Sequence, residues 1–191
     1  MHTAIIGTAG RKNDFFRLNR EMWSVVQAGL SRHIAREGIK SVISGGAAWA
    51  DHLAVQLFNN GEVEKLTLFL PAPFEQGRFK DIGGYGIENP GGTTNYYHKN
   101  FSTKMGLGFN SFADITVAIE RGAEVVIDNG GFFGRNSLIA EASDSVVAFT
   151  FGTRHYRGPW VDAAKAGLKD GGTAHCWSRC SHVKEAIHYC L

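Results

Sequence analysis

A glycine-rich turn recurs three times in this chain, each time where a predicted strand passes into a predicted helix. The first, second and third glycine turns are Gly7-Thr8-Ala9-Gly10-Arg11, Ser44-Gly45-Gly46-Ala47 and Gly171-Gly172-Thr173. Glycine allows the backbone to adopt positive φ and to approach a bulky anion closely, while the start of a helix carries unpaired N–H groups. Because that start holds about half a positive charge, it can bind phosphate without a lysine. The turns therefore predict one ligand that carries phosphate.

The hydrophobic pattern between these turns predicts alternating strands and helices. Short apolar runs predict strands at residues 4–6, 39–44, 66–70, 124–128 and 145–151, with an edge strand at 184–190. Helical periodicity predicts helices at 14–37, 48–59, 112–119 and 136–142, a helical turn within 161–168, and a last helix that Gly172 opens. Residues 72–110 show no sustained period, and we predict a long irregular insertion there.

This alternation is typical of an α/β fold, in which a parallel sheet is wrapped by helices on both faces. In such sheets ligands bind beyond the carboxyl ends of the strands, and all three glycine turns are predicted at that end. The chain has 191 residues, 43% of them hydrophobic, which is enough for one full-sized core. We therefore predict a single domain.

Charge and cysteine content narrow the function classes. A net charge of +2, spread along the chain, does not by itself predict a nucleic-acid-binding protein, and no segment predicts a membrane partner. Three cysteines and the absence of a basic and apolar leader predict the reducing cytoplasm. Cys176 and Cys180 lie near His175 and His182, but the paired spacing of zinc knuckles is absent, so we predict no metal and no cofactor.

Two common nucleotide-binding classes are excluded by the motifs. The dinucleotide fingerprint needs G-x-G-x-x-G after the first strand and an acidic residue at the end of the second strand. This chain has Gly7 and Gly10 in the first place and Ser44-Gly45-Gly46 in the second. The phosphate loop of P-loop kinases and ATPases, G-x-x-x-x-G-K-[ST], is missing as well.

Four motifs occur in a particular order: the first glycine turn, then Ser44-Gly45-Gly46-Ala47-Ala48-Trp49-Ala50-Asp51, then Arg135-Asn136 ahead of the run from Ala142 to Phe149, then the third glycine turn. This order resembles the SLOG superfamily of Rossmann-like proteins, and most of all its branch of small bacterial and phage proteins. That superfamily includes the LOG-type nucleoside-monophosphate phosphoribohydrolases and the DNA-processing proteins. The resemblance covers most of the chain outside residues 72–110.

The resemblance implies a nucleotide or nucleotide-derived ligand and a homodimer. Phosphate would lie near Gly172 and Thr173, with the sugar or base near the first two turns. Thr173 can donate to a phosphate oxygen and Arg135 can offer a bidentate guanidinium, while Asp51 can accept from a ribose or cap its own helix. The candidate ligand-binding residues are Gly7, Thr8, Ala9, Gly10, Arg11, Ser44, Gly45, Gly46, Asp51, Arg135, Asn136, Gly171, Gly172 and Thr173.

The resemblance also raises the question of catalysis. In LOG-type hydrolases an arginine at the place of Arg135 and a glutamate just after the glycine turn are linked to N-glycosidic cleavage. Here Ala174-His175-Cys176-Trp177 follow the turn, so the glutamate is absent. Such cleavage needs a carboxyl group. We therefore name Arg135 and Glu141 as catalytic candidates, with Asp144 as a substitute, and leave open whether the ligand is hydrolysed or only bound.

The alternative function is a nucleic-acid-binding module, by analogy with the DNA-processing relatives. It would use the arginines at positions 11, 17, 20, 154 and 157. Two mixed clusters, Tyr96-Tyr97-His98 and Arg154-His155-Tyr156-Arg157, can either close over a nucleotide or form solvated loops. Trp49 is expected in the core rather than against a base. The low net charge favours the small ligand over nucleic acid.

Overall fold

A computed structural model describes residues 1–84, 86–128 and 130–191. The strands are β1 (Thr3–Gly7), β2 (Ser41–Ser44), β3 (Lys65–Leu70), β4 (Phe74–Glu75), β5 (Arg78–Phe79), β6 (Glu124–Ile127), β7 (Ser145–Thr150), β8 (Tyr156–Gly158) and β9 (Glu185–Cys190). The helices are α1 (Asp14–Arg17), α2 (Arg20–Glu37), α3 (His52–Asn59), α4 (Pro90–Met105), α5 (Ser111–Glu120), α6 (Gly131–Glu141), α7 (Ala163–Ala166) and α8 (Gly172–Arg179).

Seven of these strands form one sheet in the order β6-β3-β2-β1-β7-β9-β8. All neighbouring pairs are parallel except β8 with β9, which are antiparallel. The strand order reverses next to β1, because the chain builds outward to β6 on one side and to β8 on the other. The predicted α/β fold with a Rossmann-like parallel sheet is confirmed.

The two faces of the sheet carry two hydrophobic clusters. Alternate residues of a strand point to opposite faces, so Ile5 joins the cluster that contains residues of α2, α3, α4 and α5. Its neighbours Ala4 and Ile6 join the other cluster, with residues of α6, α7 and α8. Helices therefore cover both faces of the sheet, as predicted, and the central strands β1, β2 and β7 are buried along almost their whole length.

Several predicted helix bounds shift in the structure. The predicted helix at 14–37 is two helices, because the side chain of Asn19 accepts a hydrogen bond from the Met22 amide at 2.9 Å and starts α2 anew. The helix predicted at 48–59 begins with one 3-10 turn, Trp49–Asp51, before α3. Arg135 lies in the second turn of α6 rather than at its head, because α6 begins at Gly131.

The prediction of an irregular insertion at 72–110 is wrong over most of its length. The segment contains the β4-β5 hairpin and the sixteen-residue helix α4. Helix α4 buries only a narrow row of side chains, among them Thr94, His98 and Phe101, so its hydrophobic period is weak. Asn89 caps α4 and Pro90 is its first residue, which were the available signals.

Strand β9 was predicted as an edge strand, but β8 pairs along its outer side and forms the edge itself.

Among the helices that the structure describes, none combines the length and the apolar character needed to cross a membrane.

Candidate ligand-binding site

A cavity of about 520 Å³ lies at the carboxyl ends of the central strands. Parts of all three glycine turns reach it, as expected for strands that end at the same edge of a sheet. The predicted site residues that line it are Gly7, Thr8, Ala9, Arg11, Asp51, Arg135, Asn136, Gly171, Gly172 and Thr173. Most of the predicted site is therefore brought to one cavity.

Four predicted residues lie behind the cavity wall instead. The carbonyl of Gly46 accepts a hydrogen bond from His98 Nε2 at 2.9 Å, and a Cβ on Gly46 would lie 2.5 Å from the Leu70 side chain. A Cβ on Gly10 would lie 2.9 Å from the indole nitrogen of Trp49. The remaining two, Ser44 and Gly45, bond to Asp51 and Arg135 respectively. These four residues therefore hold the turns in shape through internal contacts and do not line the cavity.

Asp51 joins the first two glycine turns to each other. It is 4% exposed, and its Oδ1 accepts a hydrogen bond from the Gly7 amide at 3.1 Å. The backbone amides of Ala47 and Gly45 also lie near this carboxyl group. Burial raises the pKa of Asp51, and the neighbouring Arg135 guanidinium and these amides act in the opposite direction. Backbone amides of the first two glycine turns were predicted to bind a ligand, and in the structure they lie against the carboxyl group of Asp51 instead.

Arg135 is a buried cation in the wall of the cavity. Its Nη1 donates to the Gly45 carbonyl at 2.8 Å and lies 4.0 Å from Asp51 Oδ2, while its Nη2 donates to Asn136 Oδ1 at 3.0 Å. Its Nε is buried and has no partner among the described residues. A buried donor without a partner costs about 1–3 kcal/mol, so the protein holds this guanidinium in the cavity wall with one donor unsatisfied.

The third glycine turn presents an open helix start. Gly171 has φ +138°, a conformation that favours glycine, and it has no side chain to cap α8. Asn136 Nδ2 donates to the Gly172 carbonyl at 3.1 Å and so holds this turn against α6. Gly171, Gly172 and Thr173 line the cavity. This turn therefore faces the cavity with the positive end of a helix.

A carboxylate that was not among the predicted site residues, that of Asp14, contacts the first glycine turn. Asp14 lines the cavity and is 6% exposed. Its Oδ2 accepts from Thr8 Oγ1 at 2.8 Å, and its Oδ1 accepts from Lys169 Nζ at 2.5 Å. Asp14 and Lys169 are 155 positions apart, so no local pattern could have paired them.

Another part of the cavity lining comes from the 72–110 segment. Gly86, Ile87 and three residues of α4, Thr93, Thr94 and Tyr97, line the cavity together with Phe132 and Phe133 of α6. Of the predicted cluster at 96–98, only Tyr97 reaches the cavity, whereas Tyr96 is 61% exposed on the surface. An aromatic wall of this kind can accept a flat ring.

His98 fixes α4 against the second glycine turn. Burial, followed by the nearby His52, lowers the pKa of His98 to about 3, so the ring is neutral at pH 7. A carbonyl can only accept, so Nε2 carries the proton and donates to Gly46, and Nδ1 accepts from Ser111 Oγ at 3.0 Å. His98 belongs to the cluster that was predicted either to close over a nucleotide or to form a solvated loop, and it does neither, because it holds α4 in place.

The structure does not bring Glu141 to the cavity. This residue is exposed at the end of α6, and Asp144 pairs with the amino terminus of the chain at 3.8 Å. The carboxyl groups that do line the cavity belong to Asp14, Asp51 and Asp170. Within the described ranges, no group of three or more histidine, cysteine or acidic residues is placed to hold a metal ion.

Comparison with known proteins gives one informative relative. A protein of Acanthamoeba polyphaga mimivirus, described as uncharacterized, is 38% identical to this chain over 186 residues, which are 94% of this chain and 90% of the viral protein. This chain belongs to the same family as that viral protein. No protein-family model matches the chain, and no solved structure matches it.

Proposed function

We propose that this protein is a SLOG-like protein that binds a nucleotide or nucleotide-derived ligand in the 520 Å³ cavity. The ligand's phosphate lies at the start of α8, beside Arg135. One observation carries the proposal: the uncapped start of α8 and the Arg135 guanidinium line the same cavity, whereas the first glycine turn already bonds to the carboxyl groups of Asp51 and Asp14.

The expected strength of each contact supports this placement. A helix start favours an anion by about 0.3–1 kcal/mol when exposed and about 2 kcal/mol when partly buried. A hydrogen bond to a charged group adds about 1.5–3 kcal/mol. Stacking of a base on an aromatic side chain adds about 1–3 kcal/mol, and Tyr97, Phe132 and Phe133 are available for it. The phosphate end and the aromatic wall together match the two ends of a nucleotide.

Binding is better supported than hydrolysis of the N-glycosidic bond. The catalytic pair expected from the sequence was Arg135 with Glu141, and Glu141 is exposed outside the cavity lining. Asp51 is the carboxyl group beside Arg135, and its raised pKa favours the protonated form that a general acid needs. Release of free base from nucleoside monophosphates, followed by chromatography, tests cleavage. If no base is released, hydrolysis is removed from the proposal and only binding or sensing remains in it.

The nucleic-acid alternative has weaker support, since several of its arginines are engaged within the protein. Arg157 pairs with Glu37 at 3.1 Å and with Glu185 at 2.9 Å. The Arg17 guanidinium lies 3.9 Å from the centre of the Phe151 ring. Phosphate-backbone binding weakens steeply with salt, so a gel shift that disappears between 50 and 200 mM salt, about a thousandfold loss or more, is the result that would favour this alternative.

The proposal includes a homodimer in the cytoplasm, as the resemblance implies. The cysteines at 176, 180 and 190 are all free, which accords with a reducing compartment. Light scattering at micromolar protein concentration measures the oligomeric state. A monomeric mass at every concentration would remove the dimer from the proposal without affecting the ligand site.

Isothermal calorimetry and thermal shift with nucleoside mono- and diphosphates, cyclic nucleotides and ADP-ribose test the binding proposal. We expect a ligand of this group to bind, and Arg135→Ala to weaken binding by about tenfold or more, because a charge-assisted bond is lost. Arg179→Ala is the matched control, since Arg179 is exposed near the other end of α8 and bonds to Ser137. Absence of binding across the whole group would contradict the proposal.

A further inference from the structure

The carboxylate of Asp14 lies against the first glycine turn and lines the cavity. Two groups that suit a phosphate oxygen bond to its two oxygens: the hydroxyl of Thr8 and the ammonium of Lys169. Thr8 Oγ1 in turn accepts from the Gly10 amide at 3.2 Å. Thr8 and Lys169 could bind an anion, and in this chain they bind the side chain of Asp14.

A second anion in this part of the cavity would meet a buried negative charge. Asp14 is 6% exposed, so solvent screens its charge weakly. Lys169 pairs with this charge, and its ammonium is therefore not available to bind a ligand anion. Thr8, Asp14 and Lys169 line the same cavity as the start of α8, so a ligand held there by one phosphate brings any further phosphate toward them.

We infer that Asp14 is a specificity-determining residue: its carboxylate imitates a bound anion and closes the first glycine turn to a second phosphate. This inference rests on the proposed function, because it concerns which nucleotides enter that site. The ligand has one phosphate group at the start of α8 and none at the first turn. Lys169 and Thr8 position the carboxylate.

Asp14→Asn tests the inference with little change of shape. The amide keeps one oxygen as acceptor, removes the charge and releases Lys169 to bind an anion. Calorimetry compares phosphate with pyrophosphate, and the mono- with the diphosphates of adenosine, guanosine, cytidine and uridine. We expect the affinity for pyrophosphate or diphosphate, relative to the matching monophosphate, to rise by about tenfold or more, since the variant removes a buried negative charge and frees Lys169 to pair with the second anion.

Asp162→Asn is the matched control. Asp162 also pairs with a lysine, Lys165, at 3.3 Å, but the pair is exposed and outside the cavity lining. The control should leave the ratio of affinities unchanged. If Asp14→Asn does not fold, Lys169→Gln replaces it: the unneutralised carboxylate should then weaken diphosphate binding more than monophosphate binding, and equal losses overturn the inference.

The outcomes separate this inference from the proposed function. If the wild-type protein binds monophosphates and Asp14→Asn leaves the ratio unchanged, the inference is overturned and the proposed function stands. If the wild type binds no nucleotide but Asp14→Asn gains pyrophosphate, the proposed function fails and the role of Asp14 is supported. A wild-type preference for diphosphates overturns the inference. Absence of binding by both proteins overturns both.

Discussion

Replacing Gly45 with alanine tests whether Arg135 lies where the structure places it. A Cβ on Gly45 would be 2.5 Å from Arg135 Nη1 and 2.8 Å from Asp51 Oδ2. Real Cβ contacts are never this short, so the guanidinium must move and its bond to the Gly45 carbonyl must break. Gly45→Ala therefore acts on Arg135 without removing any side chain from the site.

The expected cost follows from the broken bond. A hydrogen bond to a charged group contributes about 1.5–3 kcal/mol, so we expect the free energy of unfolding to fall by about 2 kcal/mol. For a chain of this size that lowers the Tm by about 4–8 °C. The affinity for the phosphate-bearing ligand should fall by about tenfold, because the guanidinium no longer faces the start of α8.

Gly29→Ala is the matched control, with the opposite expected sign. Gly29 lies inside α2, and a Cβ there would meet nothing within 4 Å. Alanine in a helix interior is favoured over glycine by about 0.5–1 kcal/mol, so the Tm should rise slightly. Differential scanning calorimetry measures both variants. A Gly45→Ala protein with wild-type Tm and wild-type affinity would refute the placement of Arg135 against Gly45.

Two further predictions concern stability. His98 is neutral when buried, and its pKa falls from 6.5 to about 3 on folding, so its contribution is complete above pH 6.5 and is lost as the pH falls toward 3. Urea unfolding at pH 6.5 and pH 5 should show the wild type losing about 2 kcal/mol more than His98→Gln, and equal losses would contradict the assignment. Asn19→Ala removes the cap of α2 and should cost about 1 kcal/mol, whereas a change below about 0.3 kcal/mol would mean that the cap is not needed.

The sequence predicted the framework of the fold well, because apolar runs and glycine turns are local signals. The strands at β1, β2, β3, β6 and β7 and the start of α8 lie close to the predicted positions. Helix α4 was missed since its amphipathic pattern is weak and two of its residues, Gly91 and Gly92, are glycines. The cap residue Asn89 was recognisable in the sequence, but the lack of a sustained hydrophobic period decided the prediction.

The candidate site was predicted in part, and the reason is the same throughout. Glycine turns and Arg135 are recognisable from residue type alone, so most of the residues predicted for the site do line the cavity. The carboxyl groups that contact these turns were not predicted. Asp14 pairs with Lys169, and Asp51 accepts from Gly7, only after the sheet is assembled. Glu141 was named from its sequence distance to Arg135, but six positions along a helix turn a side chain to another face.

The position of β1 between β2 and β7 has a consequence for folding. The cavity joins residues near the amino terminus, such as Thr8, to residues near position 170, such as Gly172. The cavity is therefore completed only when the last third of the chain has packed against the sheet, and a nascent chain that lacks this part has an incomplete cavity. Contacts so distant in sequence are slow to form. Once formed, they let a ligand at a hundred times its Kd stabilise the whole native state by about 2.7 kcal/mol.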